Sequence, residues 1–244
     1  MSELSREIQG PTEPCVYLPE RQAQMSFHYL ESCSAETYQD LLERGWRRFG
    51  RGFFRPVCAG CQECRSLRVV VADFQPDRSM RRTLVRNQDL QVLIGRPSLS
   101  RDHLDLYRRY HADMAERRGW PGSDIDPRSY FRSFVEGYES FGFELLYVHQ
   151  SRLLGVALVD VLPRAVSAVY CYYDPAERRR ALGVFSILQQ VELARQQRVP
   201  HLYLGFLVAG NASMRYKARY RPYEILRGRP ATGAPPHWCP EPAS

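Results

Sequence analysis

Of the 34 cationic side chains one, Lys217, is lysine, which leaves 33 arginines. It lies in Asn211-Ala-Ser-Met-Arg-Tyr-Lys-Ala-Arg-Tyr-Arg-Pro222. A compact ammonium on a flexible stem can enter a narrow pocket, change its pKa on burial, or approach one carbonyl oxygen as a point charge. A planar guanidinium cannot. Lys217 is therefore the first candidate for a residue kept for its chemistry; the competing reading is a chance survivor in a composition poor in lysine. The second cluster is Cys58-Ala-Gly-Cys-Gln-Glu-Cys64, in which Cys58, Cys61 and Cys64 stand at two-residue gaps. Such spacers let neighbouring sulfurs turn toward one point, as zinc or an iron–sulfur cluster requires, with Cys15 from Pro14-Cys-Val-Tyr-Leu-Pro19 as candidate fourth ligand. A reduced, cysteine-rich turn packed under an aromatic strand is the alternative. A third pattern is cationic: Arg78, Arg82 and Arg86 recur every four residues on one helix face, where like charges repel unless an anion compensates them.

The elements that must position these residues belong to a folded chain. At 244 residues, 44% hydrophobic and 12% aromatic, it can bury one large core or two modest ones. Apolar runs such as Arg152-Leu-Leu-Gly-Val-Ala-Leu-Val-Asp160 are cut by charge within a strand's length, and the first seven residues carry no apolar signal core. These features predict a cytoplasmic protein with no membrane partner. A formal net charge of +7 favours a polyanion such as RNA or DNA. Seven cysteines without an export signal are read as ligands, reactive thiols or core residues rather than a disulfide framework.

Alternation predicts a strand at Gln24–Leu30, and Ser34 caps a helix through Leu41 and Leu42 that stops at Gly45. Trp46 to Arg55 interleaves rings and guanidinium groups, which on a strand would suit phosphate contact and base stacking. A helix follows Pro76. Another runs from Ser100 to Arg118 with Leu104, Tyr107, His111 and Met114 at helical spacing, His111 and Met114 being read as core. One more starts at Asp126-Pro127 with Phe131, Phe134, Val135 and Tyr138. Strands at Phe143–His149, Leu153–Leu162 and Val166–Tyr173 form an antiparallel meander. Asp174-Pro-Ala-Glu177 reads as N-cap, proline and capping-box glutamate, so a helix begins there or just after. The strand His201–Leu207, a Gly210-Asn211 turn, a helix bearing Lys217 and a strand at Tyr223–Leu226 complete the series. This is the element order of the Gcn5-related N-acetyltransferase (GNAT) fold, in which a helix N-terminus beside splayed strands offers free N–H groups to a phosphate or an oxyanion. The acyl-CoA loop of that superfamily is imperfect: counted from Arg178, Ala181 stands at the first glycine position and Gly183 at the second. Acetyl-CoA is thereby disfavoured as donor.

Many separate motifs in order carry a closer resemblance. Cys15-Val-Tyr-Leu-Pro19, Trp46-Arg-Arg-Phe-Gly50, Cys58-x-x-Cys-x-x-Cys64, Arg78-Ser-x-Arg-Arg82, Arg86-Asn87, Asp174-Pro175, Leu182-Gly183, Tyr203-Leu-Gly205 and Met214-x-Tyr-Lys217 together resemble bacterial aspartate/glutamate leucyltransferases, relatives of eukaryotic arginyltransferases. The resemblance runs from about Cys15 to Leu226. One departure is Ala181, where family members commonly have Ser before Leu-Gly. The resemblance implies transfer of leucine from its tRNA ester to the N-terminal α-amine of a protein beginning with Asp or Glu, marking it for degradation by the N-end rule pathway. It makes charged tRNA the co-substrate, with no cofactor required for the chemistry and no DNA partner. Lys217, Tyr216 and Asp174 become the catalytic candidates. Arg78, Arg82, Arg86, Asn87, Arg178, Gly183, Met214 and Arg215 become the substrate-binding candidates.

The expected fold is α+β: an N-terminal mixed α/β wing with the cysteine cluster over 1–95, a GNAT-like transferase core over 96–228, and a disordered tail over 229–244. Arginyl-tRNA as donor, a CoA-dependent N-acetyltransferase and a non-catalytic, metal-bearing RNA-binding module are the competing functions.

Overall fold

The computed structural model describes residues 6–122, 124–137 and 140–241. In the N-terminal wing, β1 (Ile8–Pro14), β2 (Gln22–Tyr29), β3 (Arg47–Phe49) and β4 (Gly52–Pro56) form an antiparallel sheet in the order β1-β2-β4-β3, accompanied by α1 (Ala35–Glu43). The second sheet has eight strands. They are β5 (Arg65–Val70), β6 (Gln91–Gly95), β7 (Gly142–His149), β8 (Arg152–Leu162), β9 (Ala165–Tyr173), β10 (His201–Leu207), β11 (Tyr223–Arg227) and β12 (His237–Pro240), ordered β12-β11-β5-β10-β9-β8-β7-β6. The remaining helices are α2 (Arg78–Arg86), α3 (Arg101–Arg118), α4 (Pro127–Tyr130) and α5 (Leu182–Gln196). Strands β5 and β6, both within 1–95, thus belong to the same sheet as the C-terminal strands.

The long apolar run of β8 is explained by burial on both faces. Ala157 and Val159 meet the core under α5, with Phe185, Leu188 and Val191, while Val156 and Leu158 meet Tyr107, Tyr110 and Met114 of α3. The wing packs Tyr38, Leu41, Trp46 and Phe53 against Phe141, Leu162 and Tyr203, so it is joined to the large sheet by a core of its own. The expected cap is present, Ser34 accepting from Thr37 N; α3 is capped by Ser100, which accepts from His103 N, and ends at Gly119 in the left-handed region at φ 65°. His111 and Met114 are buried, as their spacing predicts.

Five expectations need correction. Trp46 to Arg55 is a hairpin rather than one strand, and three of its four arginines face inward: Arg47, Arg48 and Arg55 are each less than a tenth exposed. Arg48 forms a bidentate ion pair with the buried Asp160 and lies over the Phe141 ring, so it offers nothing to a nucleic acid. The helix at Asp126 lasts one turn and gives way to a wider π-helical turn at Phe131–Val135; Tyr138 lies outside the described residues. Lys217 sits on a five-residue 3-10 turn, Arg215–Arg219. The tail is ordered where it is described, because Trp238 anchors it. Strand β12 pairs with β11 and forms the sheet edge, the Trp238 indole N–H donates to Glu43 O at 3.1 Å, and its ring lies under the Arg68 guanidinium.

Candidate active site

The large sheet has one parallel pairing, β9 with β10, and it lasts three residues: His201 with Ala165, Leu202 with Val166 and Tyr203 with Ser167. Beyond Ser167 the strands part. On its other side β10 is bulged against β5 between Tyr203 and Gly205, and Gly205 takes φ +78°, a backbone conformation that costs an L side chain energy. The carbonyl of the next residue, Phe206, accepts a hydrogen bond from Lys217 Nζ at 2.7 Å.

Lys217 is 8% exposed, and its ammonium also meets the Met214 thioether sulfur at 3.7 Å. Burial, followed by the positive charge of Arg47, pulls its pKa down from 10.5 to about 7; Cys64 acts weakly the other way. Desolvation favours the neutral amine, so near neutral pH this lysine has both a lone pair and a proton to exchange. Arg47 fills the gap where β9 leaves β10: it donates to Ser167 Oγ at 3.2 Å and to Ala168 O, and its Nε lies 3.5 Å from the place a Cβ on Gly205 would occupy. Two cations from distant segments therefore converge on Gly205 and Phe206.

An open cleft shares Phe206 with this centre, and its lining also includes Cys64, Arg44, Arg55, Arg65, Arg227 and Arg229. Its cationic wall suits an anion.

The other catalytic candidates are differently placed. Asp174 is 2% exposed, accepts from Arg109 at 3.0 Å and Arg152 at 3.4 Å, and caps Ala176 N. Those partners occupy it as a structural anion. Tyr216, next to the lysine in sequence, presents a ring that is 42% exposed. Among the expected binding residues, Arg78, Arg82 and Arg215 are exposed, while Arg86 donates to Arg179 O and Asn87 Nδ2 to Arg180 O at 2.8 Å. The end of α2 thus supports the turn Pro175–Arg180 that leads into α5. Arg178 is held by Asp113. Helix α5 starts after Ala181, which takes φ 53° and contributes no side-chain cap, and Gly183 lies against Tyr173, whose Cε1 would stand 3.3 Å from an added Cβ. Uncapped N–H groups at this helix start can meet an oxyanion or a phosphate.

Cys15, Cys58, Cys61 and Cys64 are brought into one neighbourhood: burial, then the charges of Cys15, Cys58 and Cys61, push the Cys64 thiol up to about 12. Their arrangement does not fit a metal ion, since among the described residues no three His, Cys, Asp or Glu side chains are placed to share one. The sulfurs are otherwise engaged. Cys61 accepts from Arg21 at 3.2 Å, Cys58 accepts from Gln24 N at 3.3 Å, and Arg229 ties down the Cys58 and Cys61 carbonyls. The cluster is a packed turn forming part of the wall near Lys217. Sequence reasoning missed the placement of Arg47, because its motif read as a strand face suited to phosphate contact and base stacking; the bulge at Gly205 that it packs against is seen only in the fold.

Comparison with known proteins identifies the family. The model of the C terminus of arginine-tRNA-protein transferases matches residues 102–227, and that of their N terminus matches residues 13–82. An aspartate/glutamate leucyltransferase of Campylobacter jejuni is 39% identical over 216 residues, covering 88% of this chain and 90% of the relative. That of Helicobacter hepaticus is 36% identical over 232 residues, covering 95% and 96%. One from Pseudomonas aeruginosa is 39% identical over 230 residues, covering 93% and 96%. Among solved structures, that of FemX covers 82% of this chain and 78% of its own at 10% identity and a TM-score of 0.44, a likeness too remote to carry an argument. With both halves of the family and nearly the full length of these relatives matched, the chain belongs to the arginine-tRNA-protein transferase family.

Proposed function

We propose that this transferase moves leucine from leucyl-tRNA to the N-terminal α-amine of proteins that begin with Asp or Glu, creating a signal for their degradation by the N-end rule pathway. The meander β7–β9, helix α5 and strand β10 serve as a GNAT-like acyltransferase core. In support of this, the element order is the expected one and β9 splays from β10 beside an uncapped helix start. The observation that carries the reading is Lys217: the chain's single ammonium, buried at that splay, with its pKa drawn down to about 7.

The reaction needs little more. An α-ammonium must lose a proton before its lone pair can attack the leucyl ester carbonyl; Lys217 accepts that proton. The C–N bond forms, the tetrahedral intermediate places negative charge on the former carbonyl oxygen, and free N–H groups at the start of α5 stabilise it. The C–O bond to the terminal ribose then breaks, and the proton that the nitrogen sheds after attack passes to the departing ribose oxygen. Because the ester is already activated, no covalent enzyme intermediate is required; orientation and proton removal suffice. The exposed Arg78 and Arg82 and the arginine-lined cleft contribute phosphate contacts. Charged tRNA is a substrate supplied where translation runs, which places the reaction in the cytoplasm. Among the described residues no helix is long and apolar enough to cross a membrane.

The test offers purified protein three labelled donors, leucyl-tRNA, arginyl-tRNA and acetyl-CoA, with an Asp-initiated peptide, and identifies the modified N-terminus by mass spectrometry. Leucyl peptide is the expected product. Arginyl or acetyl peptide, formed while leucyl-tRNA leaves the peptide unmodified, would overturn the reading.

A further inference from the structure

Five lysine and arginine side chains are less than a tenth exposed: Arg44, Arg47, Arg48, Arg55 and Lys217. Three of them have a carboxylate within ion-pair distance, Asp40 for Arg44, Asp160 for Arg48 and Glu7 for Arg55. Arg47 and Lys217 have none among the described residues. The bonds they do make are to neutral acceptors: Ser167 Oγ and Ala168 O for Arg47, Phe206 O for Lys217. Neutral acceptors fix a cation's direction without balancing its charge. A buried, unbalanced guanidinium is expensive to hold, and an arriving anion removes that expense.

We propose that Arg47 reads the side-chain carboxylate of the acceptor protein, receiving it beside Lys217 at the Gly205–Phe206 bulge. The assignment rests on the leucyl-transfer reading above and deepens it. Distance within the substrate supports it. In an N-terminal Asp the carboxylate carbon and the α-nitrogen are separated by only three bonds, and in Glu by four, so the group that reads the acid and the group that takes the α-amine's proton must be neighbours. Arg47 and Lys217 are: one lies against Gly205 and the other bonds the carbonyl of Phe206. The burial of Arg47 argues against a tRNA phosphate. A phosphodiester is flanked by nucleosides on both sides and needs an open groove, whereas an amino-acid side chain ends in its anion and can approach a buried cation tip first. The arrangement also couples recognition to activation: a carboxylate beside Arg47 offsets the positive field that suppresses protonation of Lys217 and strengthens it as a base.

The test compares kcat/KM for two peptides differing only in Asp or Asn at position one, with the wild-type chain and with Arg47→Gln. A site built around a charged hydrogen-bonding group rejects the uncharged isostere strongly. Wild type is expected to prefer Asp by at least ~100-fold, and Arg47→Gln to bring the two peptides within ~10-fold of each other, through loss on Asp, with KM for leucyl-tRNA unchanged. Equal slowing of both peptides would make Arg47 merely structural. A raised KM for leucyl-tRNA with the Asp preference intact would make it a phosphate contact. Either result overturns the proposal.

Should Arg47→Gln fail to fold, the wild-type chain still decides. Lysine labelled with ¹³C at Cε gives the resonance of Lys217, and a saturating Asp-initiated peptide should move its titration midpoint upward where the Asn peptide does not. Equal responses to the two peptides would refute the assignment. A wild-type chain that transfers leucine to neither peptide defeats the leucyl-transfer reading itself; transfer with an unaltered preference in the variant defeats only Arg47.

Discussion

Replacing Lys217 with methionine, of similar length and without charge, should change how stability depends on pH in a calculable way. In the unfolded chain the lysine has a pKa near ~10.4, while in the fold, at 8% exposure, burial and Arg47 bring it to about 7. Between these values the unfolded state binds about one proton more than the folded state, so wild-type stability rises with pH by about 1.4 kcal/mol per unit. The sign is that of a depressed cation. Its destabilisation is complete below about pH 7 and fades as pH climbs toward 10.5. From pH 7.5 to 9.5 wild type should therefore gain ~2–3 kcal/mol relative to Lys217→Met, a large part of a domain stability of ~5–15 kcal/mol. Urea unfolding of both proteins at four pH values in that window measures the difference, and other titrating groups cancel in the comparison. Parallel stability curves would mean that Lys217 keeps an ordinary pKa, and the case for it as a base would fall.

Three further outcomes follow from the described contacts. Reversing the exposed Arg78 and Arg82 to Glu should weaken tRNA binding and lower the slope of log K against log salt by about one per lost phosphate contact; an unchanged slope means this face meets no phosphate. Asp160→Asn leaves Arg48 buried without its anion and should destabilise the fold by about 3–5 kcal/mol in chemical denaturation; a loss under 1 kcal/mol would contradict the importance of that pair. Among the clustered thiols, Cys61 has its pKa lowered by a backbone hydrogen bond from Glu63 and by Arg21, whereas Cys64 is pushed up to about 12, so iodoacetamide at pH 8 should modify Cys61 well before Cys64. The reverse order by peptide mass mapping would show that the turn is packed differently.

Much of the transferase core was legible because its signals are local. The cap Ser34, the helix stop at Gly45 and the strand periods between residues 142 and 207 depend on neighbours within a few residues. What stayed hidden is non-local. Strand β5 enters the sheet between β10 and β11, a placement that no spacing within Arg65–Val70 announces. The arginines after Trp46 read as a phosphate-contacting face because their partners, Asp160 and Ser167, lie 112 and 120 residues away. The tail's proline-rich composition concealed Trp238, whose indole bonds the backbone of Glu43. At the site, Lys217 was legible from composition alone and Asp174 as a cap. Arg47 was not, since its meaning comes from the parting of β9 and β10 after Ser167.

The central claim is that Lys217 takes the proton from the acceptor amine. The measurement that tests it most directly is the single-turnover rate of leucine transfer from leucyl-tRNA to an Asp-initiated peptide between pH 5.5 and 8.5, for wild type, Lys217→Ala and Lys217→Arg. With the peptide kept well below saturation, so that the free enzyme's titration is read, wild type should rise to a plateau with a midpoint near 7, where the buried ammonium loses its proton. Both variants should be slower by ~10²–10⁴-fold without that midpoint, the arginine no better than the alanine because guanidinium stays charged throughout. A Lys217→Arg enzyme with the wild-type rate and the same pH profile, folded and binding tRNA normally, would contradict the account and move the chemistry away from this residue.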